Sequence, residues 1–205
     1  MRMRIVSLQA LLVVVLAAAG GFAVYEGNFV QNMVRTELTA QSISFPAADQ
    51  IKAGGALDPK EFPQEIRDQA GNQVTDGNQA RIYASDFIGK HLEGVAGGLT
   101  YSQVSAKASA ANAALAAMSK DDPNYASAAA TAATLSGQKA TLFQGDTLRA
   151  TLLNSYAWWT MGVDAMYAGY ALIVAALVVL GALVFELFFA KREDEVVGAS
   201  KRMAA

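Results

Sequence analysis

Apolar and polar positions follow two different patterns along this chain. In two stretches the apolar residues are unbroken. Between them they recur every three or four residues, the period of one helix face. The first unbroken run is Ile5 to Tyr25 (IVSLQALLVVVLAAAGGFAVY), 21 residues without a charge. At 1.5 Å per residue it is about 31 Å long, the thickness of a bilayer core. The second is Ala165 to Ala190 (AMYAGYALIVAALVVLGALVFELFFA), 26 residues with one charge, Glu186. It is long enough to cross with tilt. A cleaved secretory signal shares the basic start (Arg2, Arg4), the apolar core and the small residues Ala17, Ala18 and Ala19 of the first run. The run continues through Phe22, Ala23, Val24 and Tyr25, which favours a retained anchor.

The intervening sequence predicts helices. Residues 26–41 stay helix-compatible, with Phe29, Met33, Val34 and Leu38 at spacings of one to four, and Ser44-Phe45-Pro46 ends the pattern. Residues 46–77 carry three of the four prolines and several glycine turns and read as an irregular connector. A short helix fits around Asp58 to Gln69, with Asp58 as its cap and Pro59 at its first position. Asn78 to Val95 places Tyr83, Phe87, Ile88, Leu92 and Val95 on one stripe, and Gly97-Gly98 ends it. Thr100 with Gln103 three residues on forms a capping-box pair. The seam Tyr101, Val104, Ala108, Ala111, Leu115, Met118 follows, small enough to require a closely approaching partner helix.

Asp121-Asp122-Pro123 closes that helix and opens another, with Tyr125, Ala128, Ala132, Leu135 and Leu142 near one face. Gly145-Asp146-Thr147 is expected to break or kink it before the chain continues through Leu148, Leu152, Leu153 and Tyr156 into the second apolar run. The expected class is all-α: two transmembrane helices carrying an antiparallel helical bundle.

Charge sets the orientation. Arg2 and Arg4 flank the first run and Lys191 and Arg192 the second, so the positive-inside rule puts residues 1–4 and the tail 191–205 in the cytoplasm. Residues 26–164 are then extracytoplasmic, and their acidic residues outnumber the basic ones 14 to 10. Tyr156, Trp158 and Trp159 stand where an interfacial aromatic belt is expected. Gly20, Gly21, Gly169 and Gly181 are candidates for close helix contact, although neither run holds a GxxxG.

Chemistry is sparse. There is no cysteine, which excludes thiol chemistry and cysteine-ligated metals, and one histidine, His91, which excludes a multi-histidine site within one chain. His91 reads as a surface residue. Asp58, Glu61, Glu65 and Asp68 would share a helix face, but interleaved Lys60 and Arg67 favour a solvated one. With 16 basic and 18 acidic residues there is no field to attract nucleic acid. No catalytic, cofactor or metal residue is expected. Tyr83, Phe87, Tyr101, Tyr125, Arg149 and Glu186 are the candidate contacts for a partner or ligand, with Glu186 more plausibly interfacial than a proton relay.

The segments Gly97 to Ala106 (GGLTYSQVSA) and Leu142 to Trp159 (LFQGDTLRATLLNSYAWW) resemble those of uncharacterised small two-span membrane proteins of high-GC Gram-positive bacteria. The resemblance covers the second half of the chain best. It implies an anchored extracytoplasmic domain in a bacterial cytoplasmic membrane and no assigned activity. The layout of span, helical region and span is also similar to the sensing half of bacterial chemoreceptors, but only Lys191 to Ala205 follow the second run. The leading expectation is a non-catalytic accessory or structural membrane subunit whose partners are the lipid bilayer and other membrane proteins or itself. A ligand-binding or sensing module acting through a partner is the alternative. An enzyme would require carboxylates converging with His91 in a cleft.

Overall fold

A computed structural model describes residues 2–188, and among these every regular element is helical. The tail 191–205 and the end of the second apolar run, 189–190, lie outside the described residues. Helix α1 is Arg2–Ala40, α2 Gln64–Arg67, α3 Gly77–Ile82, α4 Gly89–Val95, α5 Tyr101–Ala116 and α6 Tyr125–Phe188. A single turn of 3-10 helix at Ala48–Gln50 and a π-helical segment at Tyr83–Ile88 complete the set. The chain divides into two compact units, Met1–Asn32 with Thr160–Ala205, and Met33–Trp159.

In the first unit α1 and α6 are the two helices long and apolar enough to cross a membrane. They interlock on two glycine pairs. A Cβ on Gly20 would lie 2.8 Å from the Gly169 carbonyl oxygen, and one on Gly27 would lie 2.5 Å from that of Gly162. Seven residues separate the members on each helix, so both pairs fall on one seam of two antiparallel helices. Gly20 and Gly169 were legible as contact glycines; Gly21 and Gly181 face open space. Bulky residues point outward instead: Leu8, Leu11, Val14, Phe22, Tyr25 and Phe29 on α1, and Tyr167, Val174, Leu177, Val178 and Phe185 on α6. Two polar side chains here bond to the backbone of their own helix. Ser7 Oγ donates to the Met3 carbonyl and Asn28 Nδ2 to that of Val24, each at 2.8 Å. Gln31 Nε2 donates across the pair to Met166 Sδ at 3.2 Å, and the Gln9 Oε1 is buried without a partner among the described residues.

The second unit has its core in the connector. Leu57, Ile66 and Val74 are fully buried and Phe45 and Phe62 nearly so, joined by Val34, Leu38, Ala80, Ile82, Ala84 and Leu152. Each fully buried aliphatic side chain contributes roughly 1.5–3 kcal/mol. The connector is irregular, as expected, but it is folded inward. Three backbone bonds tie it down: Phe45 N–H to Asn72, Gly71 N–H to Pro46 and Val74 N–H to Ile43. The expected helix around Asp58–Gln69 shrinks to α2, which starts directly after Pro63 with no side-chain cap. Asp58 is not a helix cap. Its buried carboxylate accepts from the Gly54 N–H at 2.7 Å and the Lys60 N–H at 2.9 Å, closing two turns of the connector. The four-carboxylate face therefore does not form: Glu65 pairs with Arg81, and Asp68 accepts from Gln64.

The α3–π–α4 run occupies the predicted Asn78–Val95 helix, capped by Asp76, whose carboxylate accepts from the Gln79 N–H at 2.9 Å. Gly97 and Gly98, at φ +63 and +81°, end it in the left-handed region as glycines do. The Thr100–Gln103 capping box is formed. The six predicted seam residues are buried or half-buried, five of them on α5 and Met118 just past its end, as are Tyr125, Ala128, Ala132, Leu135 and Leu142 on α6. The expected break at Gly145 is absent, and α6 runs through it. A Cβ there would strike the Leu92 side chain, so this glycine makes room for a neighbour and leaves the helix intact.

Candidate functional site

The π segment arranges the first pair of candidates. Tyr83, Phe87 and His91 stand four residues apart on α3–π–α4, and their rings follow one another at 5.0 and 4.4 Å. Phe45 meets Tyr83 edge-on at 5.2 Å, and Phe62 lies 6.2 Å from Phe87 and 5.9 Å from His91. Tyr83 and Phe87 pack against the core, and burial pushes the Tyr83 phenol above its usual range. His91 is exposed; its Nδ1–H donates to the Phe87 carbonyl at 2.7 Å. An open cleft of about 630 Å³ adjoins it, lined by Lys60, Glu61, Phe62, Lys90 and Glu93. Two carboxylates and His91 thus share a cleft. Yet the histidine is oriented by its own helix, and Glu93 is bonded to Lys90 at 3.0 Å, which holds the lysine above its usual pKa. Among the described residues no cluster of three or more His, Asp or Glu side chains could hold a metal.

Arg149 reaches from α6 to the π segment. Its Nε–H donates to the Ala84 carbonyl at 3.1 Å, and its guanidinium lies 3.5 Å from Asp146. The same carbonyl also takes the Gly89 N–H five residues on, the bond that defines the π turn. Arg149 and Tyr101 line one cavity of about 240 Å³ with Ser85, Leu92, Leu142 and Asp146. Asp86, on the π segment, has its carboxyl pushed up by burial and by Glu65, against the pull of Arg81.

Tyr101 also packs on Phe143, ring centroids 5.8 Å apart, at one end of a groove between α5 and α6. The groove holds about 520 Å³ and is lined by Ala108, Asn112, Ser136, Lys139 and Ala140 besides the two rings. Sequence reasoning named Tyr101 here and missed the rest. Lys139 was findable, being the one charge on α6 between Tyr125 and Asp146. Tyr125 starts α6, its N–H bonded to the Asp122 carbonyl at 2.9 Å, and lines none of these cavities. Glu186 lies near the described end of α6, half-buried, in the other unit. Of the three aromatics before the second run, Trp158 is exposed. Trp159 packs against the core with Arg35 over its ring at 5.8 Å, and Tyr156 lies 6.0 Å from Arg81.

No family model, no curated protein and no solved structure matches the chain.

Proposed function

We propose that this chain is a non-catalytic integral membrane protein that serves as an accessory or structural subunit by binding other membrane proteins. In this reading α1 and α6 cross a bacterial cytoplasmic membrane, both termini are cytoplasmic and residues 26–164 are extracytoplasmic. The observation that carries the reading is the aromatic stripe Phe22, Tyr25 and Phe29 on α1. The three lie at helical spacings of three and four and are 65, 65 and 55% exposed. The glycine seam occupies other positions of the helix, so its demand for small residues does not explain the stripe. Aromatic residues are enriched in protein interfaces, and packing drives helix association in lipid.

The test is purification of the tagged, full-length protein in gentle detergent, with mass spectrometry and native mass of what accompanies it. A stoichiometric membrane partner, lost when Phe22, Tyr25 and Phe29 are all changed to alanine, is the expected result. A clean monomer or homodimer refutes the reading.

A further inference from the structure

The groove between α5 and α6 has an uneven chemistry. Phe143 is 58% exposed, and between Met33 and Leu148 no other large apolar side chain is left exposed. It forms an aromatic wall with Tyr101. The opposite part of the groove is polar, with Ser109, Asn112, Ser136 and Lys139 in its lining. Asn112 Nδ2 donates to the Ala108 carbonyl at 2.8 Å and to Ser136 Oγ at 3.2 Å, leaving the Ser136 hydroxyl proton to point elsewhere. Lys139 is half-buried and is the one charged residue of the lining. Among the described residues no carboxylate pairs with it. Small residues, Ala108 and Ala140 among them, keep the groove open by failing to fill the space between the helices.

We propose that this groove binds a small aromatic carboxylate, its ring against Tyr101 and Phe143 and its carboxylate on Lys139 Nζ and the Ser136 hydroxyl. A ligand of this class covers the exposed ring and supplies the acceptor that the unpaired cation lacks. The inference stands apart from the accessory-subunit reading, because it uses no residue of the two apolar runs, 5–25 and 165–190.

Fluorine NMR titration of the full-length protein in lipid nanodiscs tests it, with para-fluorophenylacetate as probe and its uncharged amide as control. The acid is expected to bind saturably, about tenfold more tightly than the amide, the scale of one partly exposed charged hydrogen bond. Lys139→Gln should bring the acid to the level of the amide, Lys139→Arg should retain binding, and Phe143→Ala should weaken both probes alike. Circular dichroism verifies that each variant is folded. Equal affinity for acid and amide, an acid titration unmoved by Lys139→Gln or by Phe143→Ala, or no saturable binding would overturn the proposal.

Discussion

Asp58 and Asp86 are carboxylates placed in opposite electrostatic circumstances. Two backbone N–H groups, of Lys60 and then Gly54, hold Asp58 below its usual pKa. Its stabilising contribution is therefore present above the ordinary aspartate range and is lost as pH falls through the depressed value. Asp86 is raised by burial first and by Glu65 next. Its contribution is present below the ordinary range and is lost as pH rises through the raised value. The two asparagine variants should therefore diverge. At neutral pH, Asp58→Asn melts below the parent, because an N–H₂ donor replaces one of the two oxygens that accept from the backbone. Asp86→Asn melts above it, and that gain shrinks on acidification as the parent's Asp86 takes up its proton. Thermal melts of the full-length protein across the acid range, followed by the fluorescence of Trp158 and Trp159, decide this. A lower melting temperature for Asp86→Asn at neutral pH would contradict the assignment.

The helices differ in how far the sequence reveals them. The α5 seam could be read because its five positions from Tyr101 to Leu115 keep the period of a helix packed on one neighbour, and Met118 continues the spacing past the helix end. The connector's core could not. Leu57, Phe62, Ile66 and Val74 are five, four and eight residues apart, and irregular backbone aims side chains without a period. The groove was half legible: aromatic spacing marked Tyr101, while Phe143 and Lys139 gain meaning only when a second helix lies opposite. The glycines were read by a search for GxxxG, whereas the pairs formed repeat at seven. Gly27 and Gly162 were missed, and Gly145, taken for a break, is a contact.

These glycines give the prediction at this scale. Leucine at both Gly20 and Gly27 must push α1 from α6, since the facing atoms include the backbone carbonyls of Gly169 and Gly162. Interaxial distances depend on side-chain size over roughly 8–10 Å, so spin labels on the exposed Leu12 and Val178 should move apart by about 2 Å. Gly137 meets open space, and Gly137→Ala should stabilise α6 by up to about 1 kcal/mol. An unchanged spin-label distance in the double leucine variant would refute the seam.

At the scale of the whole molecule the orientation rests on few charges. Arg2 and Arg4 stand before one apolar run, and Lys191 and Arg192 follow the other. Lys and Arg near the ends of short flanking segments set topology, while acidic residues contribute little. The outside assignment of residues 26–164 therefore comes from the flanks and receives only secondary support from their acidic excess. The absence of cysteine makes the assignment directly testable, because a single introduced thiol has no background. Ser127, exposed on α6, and Ser200 in the tail bracket the question. In intact cells a membrane-impermeant maleimide should label Ser127→Cys at once and Ser200→Cys only after permeabilisation. Labelling of both in intact cells would mean that one apolar helix does not cross. The reverse pattern would mean that the flanking charges have been overridden and that the groove faces the cytoplasm. The carboxylate titration tests binding in either orientation; the labelling decides from which side of the membrane a ligand could reach Lys139.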